Sequence, residues 1–175
     1  ITLSNVKNTI ENLKRQGIYP GINDERLQGH LKKIYQEYQS QLLTQNIVDY
    51  GDLIAYSIFL LEKSPLAKKI FTNHYKYLVV DEFQDTDSQQ LNLVELLAHK
   101  ADGVTIVADD DQSIFGWRGA NRKNVEIIAK LLNANICVLG MNFRSDQVIV
   151  DAAMRIIQNE SDRFNKNIQA ASQNR

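Results

Sequence analysis

Apolar positions recur along this chain at two different periods. Through residue 72 they fall at helical spacing. Val6, Ile10, Leu13 and Ile18 run to the turn signal Tyr19-Pro20-Gly21, and Leu27, Leu31, Ile34, Tyr35, Tyr38 and Leu42 predict an amphipathic helix over about 24–43. Asp49-Tyr50-Gly51-Asp52 opens a denser apolar helix from Leu53 to Leu61, which Ser64-Pro65 ends, and a short segment from Leu66 to Phe71 follows. The period then changes. The unbroken run Tyr77-Leu78-Val79-Val80 predicts a buried parallel strand. Thr86, Asp87 and Ser88 are cap candidates, with Gln89 or Gln90 placed for a capping box ahead of the stripe Leu91, Val94, Leu97 and Ala98. Asp102-Gly103 turns the chain into a second strand, 104–108. Val125, Ile128, Leu131 and Leu132 mark the next helix, and Ile136-Cys137-Val138-Leu139 a third strand. Ser145 is expected to cap a last helix with Ile149, Ala152, Ala153, Ile156 and Ile157 on its inner face. Strand, helix, strand, helix, strand predicts a parallel sheet with right-handed crossovers. The fold class is therefore α/β, a parallel sheet with flanking helices preceded by a helical subdomain. The expected units are 1–72, 73–160 and a polar, frayed tail, 161–175.

Composition narrows the picture. With 175 residues and 43% hydrophobic content the chain can bury a core. No apolar run approaches the roughly 20 residues of a membrane span, and no signal-peptide pattern opens the chain, so a soluble, cytoplasmic protein without membrane partners is expected. The start at Ile1 rather than Met suggests a piece of something longer. Cys137, the single cysteine, sits in an apolar run and is expected to be a buried thiol in a reducing compartment. His30, His74 and His99 show no metal spacing. The net charge of −1 carries no global nucleic-acid signature, so any such contact must be local. Acids concentrate in the second half: residues 81–175 hold fourteen Asp and Glu against ten Lys and Arg.

The ends of the apolar runs carry the candidate chemistry, where open α/β sheets place their ligands. Asp81 and Glu82 follow the first strand. A strand-end Asp can hold Mg²⁺ and the next carboxylate can orient an attacking water, although an acid pair there also serves as a solvated turn or a helix cap. Gln84 stands close enough to sense a phosphate or the neighbouring segment. After the second strand, Asp109, Asp110 and Asp111 repel one another. They require either a hydrated turn or a cation with polar donors. Gln112 can bond phosphate oxygens without adding charge. Phe115 and Trp117 offer faces for unpaired bases, with Arg118 beside them for the backbone or an acid; the alternative is a hydrophobic plug with Arg118 salt-bridged. Phe143 and Arg144 precede the last helix, as a base-stacking ring and a γ-phosphate contact or as surface residues.

Three segments in order, Val80-Asp81-Glu82-Phe83-Gln84-Asp85-Thr86, Asp109-Asp110-Asp111-Gln112-Ser113-Ile114-Phe115-Gly116-Trp117-Arg118-Gly119-Ala120 and Leu139-Gly140-Met141-Asn142-Phe143-Arg144-Ser145, closely resemble motifs II, III and IV of the UvrD/Rep/PcrA helicases of superfamily 1. Upstream, Tyr35-Gln36-Glu37-Tyr38 and Asp49-Tyr50-Gly51-Asp52-Leu53-Ile54 resemble the helical insertion before motif II in that family. The resemblance implies part of a RecA-like P-loop NTPase domain using ATP and Mg²⁺, with single-stranded DNA and ss/ds DNA junctions as partners. By it, Asp81 serves Mg²⁺, Glu82 is the catalytic base, and Gln84 lies on the nucleotide side. Gln112 and Arg144 contact the γ-phosphate, and Phe143 stacks near adenine. Phe115 and Trp117 hold DNA bases, with Arg118 linking that site to the nucleotide. Ala108 and Asp87 depart from the family's usual Gly and Asn.

A phosphate-binding loop needs Gly-Lys-Ser/Thr at a helix start. No glycine in this chain is followed by lysine. The expectation is an internal part of an ATP-dependent DNA helicase, inactive alone and completed by motor segments in cis. Two other readings stay open. One is a motor-less DNA-binding or partner-binding module. The other is a metal-dependent phosphohydrolase built on Asp81, Glu82, Asp85 and the Asp109–Asp111 run, which needs no P-loop.

Overall fold

The computed structural model describes residues 2–21, 24–99, 101–160 and 163–171. Four helices come first: α1 (Leu3–Arg15), α2 (Gly29–Thr44), α3 (Tyr50–Lys63) and α4 (Pro65–His74). Local chemistry sets their ends. Thr2 accepts from Asn5 N at the start of α1, Asp49 and Asp52 form a reciprocal capping box at α3, and Ser64 caps α4 with Pro65 in its first turn. Ile10, Leu13, Ile18, Leu27 and Tyr35 form the core of this part. An ion pair is buried with it, Lys14 and Asp52. Lys14 Nζ lies 2.7 Å from both Asp49 Oδ2 and Asp52 Oδ1, and its stem fills the space where a Cβ on Gly51 would stand.

β1 (Tyr77–Val80), α5 (Ser88–Ala98) and β2 (Gly103–Ile106) make a β-α-β unit whose strands pair in parallel, Tyr77 opposite Gly103 and Val80 opposite Ile106. Asp87 caps α5 in a capping box with Gln90. Leu78 and Val80 face Phe83, Val94 and Ile128, the last from α6 (Lys123–Leu131), whereas Tyr77 and Val79 point to the opposite face, 75% and 69% exposed. α5 packs on α3 and α1, which joins the two cores.

The third part departs from the sequence expectation. Ile136–Leu139 is not a strand, and Ile136 and Leu139 are exposed. The short strand β3 lies later, at Met141–Asn142, and pairs in parallel with β4 (Gln169–Ala170) rather than with β2. Among the described residues the 136–139 run has no strand beside it, and Cys137 is exposed rather than buried. α7 (Gln147–Ile157) starts at Asp146, one residue after the expected cap. It turns Val150, with Met154 and Ile157, inward and leaves Ile149 and Ile156 in solvent. The tail expected to fray is engaged over 163–171, while Ser161, Asp162 and 172–175 lie outside the described residues. Among the described residues no helix is long and apolar enough to cross a membrane.

Candidate functional site

The chain leaves β1 through a sharp reversal. Asp81 Oδ1 accepts from Glu82 N at 2.9 Å, and Glu82 takes a left-handed backbone, φ 51 and ψ 38, a conformation that costs a non-glycine residue about 1 kcal/mol. Phe83 then plunges into the core, its N–H donating to Val107 O at 3.1 Å, so the ends of β1 and β2 stay in register beyond the last ladder pair. Asp81 and Glu82 are left exposed at the strand end, and no cation pairs with either among the described residues. Asn124, buried at the head of α6, donates to Thr86 O at 2.8 Å and fixes the far side of this turn.

Gln84 joins the two strand ends. It is 1% exposed; its Nε2 donates to Glu82 Oε2 at 2.6 Å and its Oε1 accepts from Asp109 N at 3.0 Å. Asp109 in turn accepts from Gln112 Nε2 at 2.7 Å. Glu82, Gln84, Asp109 and Gln112 therefore form one hydrogen-bonded line across the carboxyl edge of the sheet. Nearby, Asp85 Oδ1 is buried without a partner among the described residues.

The three aspartates are offset by protein cations. Lys166 Nζ lies 2.6 Å from Asp109 Oδ1, 2.5 Å from Asp110 Oδ1 and 2.9 Å from Asp111 Oδ2, and Arg163 binds both oxygens of Asp111 at 2.9 and 2.7 Å. Burial pushes the Asp109 and Asp111 carboxyls up, but these donors outweigh it and hold both below the usual carboxylate value. Burial alone would push the Lys166 ammonium down; the aspartates raise it instead.

Phe115, Trp117 and Arg118 come together on the following loop. The Arg118 guanidinium lies 4.8 Å from the Trp117 ring centroid and 5.2 Å from that of Phe115, within cation–π range. Trp117 is 74% exposed, so the ring is not a core plug. Arg118 bonds none of Asp81, Glu82 or Gln112 among the described residues; its carbonyl instead accepts from Arg15 Nη1 at 2.8 Å, which ties the loop to α1. Ser113 Oγ reaches Gln84 O at 3.4 Å, the link from the loop to the strand-end line. Phe143 and Arg144 stand apart on the turn into α7, where Asn142 Oδ1 accepts from Arg144 N and Ser145 N, both at 2.8 Å. Both side chains are exposed, and among the described residues the Arg144 guanidinium has no ion-pair partner.

Sequence reasoning missed Lys166, Arg163, Asn124 and Lys14. The first two had a signal: three consecutive acids demand a counter-ion, and the tail supplies two cations three residues apart. Asn124 had none, because a short polar residue at a helix start reads as ordinary capping.

The family model for the UvrD/REP helicase N-terminal domain matches residues 2–133. The chain is 39% identical over 162 residues to DNA helicase II of Haemophilus influenzae, covering 91% of this chain and 22% of that protein. It is 40% identical over 142 residues to the ATP-dependent DNA helicase PcrA of Staphylococcus aureus, covering 81% and 20%, and 38% identical over 165 residues to DNA helicase II of Rickettsia typhi, covering 91% and 25%. The chain thus spans about a fifth to a quarter of the length of these relatives.

Proposed function

Because the chain belongs to the UvrD/REP helicase family, we propose that it is the helical insertion and the second half of the first RecA-like motor domain of an ATP-dependent DNA helicase. The observation that carries this reading is the line Glu82–Gln84–Asp109–Gln112 at the carboxyl edge of the parallel strands, one loop away from an exposed tryptophan. Mg²⁺ and ATP would supply the phosphoryl group and the metal's charge. Asp81, exposed at a strand end and unpaired by cations among the described residues, fits the metal side. Glu82 would orient water and accept its proton, while Gln112 and Arg144 would contact the γ-phosphate, with Phe143 on the base. No Gly-Lys sequence offers a phosphate cradle, so that half of the site, like the donor for Asp85 Oδ1, would come from segments in cis.

Phe115 and Trp117 would stack bases of single-stranded DNA, each contributing about 1–3 kcal/mol. A DNA-induced shift of the loop would reach Gln112 directly, since Gln112 and Trp117 are five residues apart on it. Titration of the chain with single-stranded oligonucleotide, watched through Trp117, should give salt-sensitive quenching that Phe115→Ala removes. Absence of quenching at any salt in the folded chain would withdraw autonomous DNA binding. In the longer protein that carries the phosphate loop, Glu82→Gln should lower ATP turnover by at least about 100-fold with DNA affinity retained. Quenching without DNA-stimulated turnover in that longer protein would favour the motor-less binding module instead.

A further inference from the structure

We infer that Lys166, supported by Arg163, is a positioning residue for Gln112 and acts through Asp109. Every carboxylate oxygen of the aspartate triad already has a donor. Asp109 Oδ1 takes Lys166 and the Asp111 N–H, and its Oδ2 takes Gln112 Nε2. Asp110 Oδ1 takes Lys166 and its Oδ2 the Phe164 N–H at 2.8 Å. Both oxygens of Asp111 take Arg163. Although their ligand atoms lie within 4.8 Å of one another, the position a divalent ion would take is filled by the Lys166 ammonium. The cluster is a receptor for the tail.

Its effect falls on Gln112 because of how Asp109 is shared. One carboxylate oxygen faces the ammonium and the other holds the Gln112 amide, so the charge that fixes Asp109 also fixes the glutamine. Without Lys166, Asp109 and Asp110 lose the cation in direct contact with both, and like-charge repulsion turns Asp109 away from Gln112.

The same segment also reaches the other candidate phosphate-side loop. Gln169 N donates to Gly140 O and Ala171 N to Asn142 O, both at 2.8 Å, and Asn142 is the residue whose side chain holds the Arg144 and Ser145 amides. Residues 163–171 therefore strap the Gln112 loop to the Arg144 loop. Gly140 is what lets the strap lie so close: a Cβ there would come within 2.5 Å of Asn167 O. The positioning role rests on the reading of Gln112 as a nucleotide-side group. The geometry can be tested without nucleotide.

The test is the side-chain amide resonance of Gln112 in the ¹⁵N-labelled chain, with Trp117 emission recorded in parallel. Lys166→Ala should collapse that resonance to the position of a free glutamine amide and shift the emission, while Lys166→Arg should keep both near wild type. Gly140→Ala, which lifts the strap without touching an ion pair, should move the resonance in the same direction. Should Lys166→Ala fail to fold, Lys166→Gln and Gly140→Ala provide the measurement. A Gln112 amide unmoved in these variants overturns the inference, as does a shift that Lys166→Arg fails to restore. Failure of the helicase reading would appear elsewhere, in DNA titration and ATP turnover, and leaves this measurement intact.

Discussion

Gln84 has the clearest measurable consequence among single residues. Its amide is buried and satisfies both strand ends at once, so Gln84→Ala leaves the Asp109 N–H without its acceptor and Glu82 without its donor. The cost should be about 1–3 kcal/mol, read as a lower urea midpoint with an unchanged slope. Asp81, Glu82, Gln84 and Gln112 stood out in the sequence by their places at and just beyond the ends of apolar runs and by the resemblance of their segments to helicase motifs, and the structure sets Glu82, Gln84 and Gln112 on one hydrogen-bonded line with Asp109. The partner that sets each geometry was not legible. Gln84 and Asp109 are 25 residues apart and Lys166 and Asp109 are 57 apart, and side-chain chemistry does not announce such pairings. The left-handed turn at Glu82 was also invisible, since glutamate gives no sequence sign of a positive φ.

At the scale of elements, helices bounded by caps were read well. The capping boxes at α3 and α5 sit where short polar residues precede apolar stripes, while Ser64-Pro65, expected as the end of one helix, is also the capped start of α4. The third strand was misread because Ile136–Leu139 has a strand's composition, and composition cannot supply a neighbour to pair with. The α7 stripe was misassigned for a related reason. That helix is apolar on more than one side, and which side turns inward is decided by what packs there. The helices α1 and α3 are joined by a contact that predicts a large effect. Lys14 is 2% exposed between two carboxylates, so Lys14→Ala should cost about 3–5 kcal/mol in thermal or urea unfolding. The exposed pair Lys7–Glu11, 3.8 Å apart, offers the control: Lys7→Ala should change stability by less than about 0.5 kcal/mol.

Over the whole molecule, α5 and α6 cover only one face of the β1–β2 pair. Tyr77 and Val79 on the other face form an apolar strip beside strand edges that stay unpaired among the described residues, which fits a chain whose relatives are about four times as long. The tail clamp makes the molecule respond to pH in a defined window. Asp109 and Asp111 titrate below the usual 3.8, so their contribution is complete above about pH 4 and is lost as pH falls through the lowered values. Lys166 titrates above its usual 10.5, so its contribution is complete below that value and fades as pH rises past it. The groups facing one another are these two aspartates, Asp110, Arg163 and Lys166. Amide protection over 163–171 should accordingly stay flat from about pH 5 to 10 and collapse on the acid side. What keeps so polar a contact closed is its tether. Because Lys166 lies only nine residues beyond the end of α7, the tail meets the aspartates at an effective concentration in the millimolar range. A single cut between α7 and Arg163 removes that advantage. The same residues offered as a free peptide would have to be supplied at comparable concentration to close the clamp again.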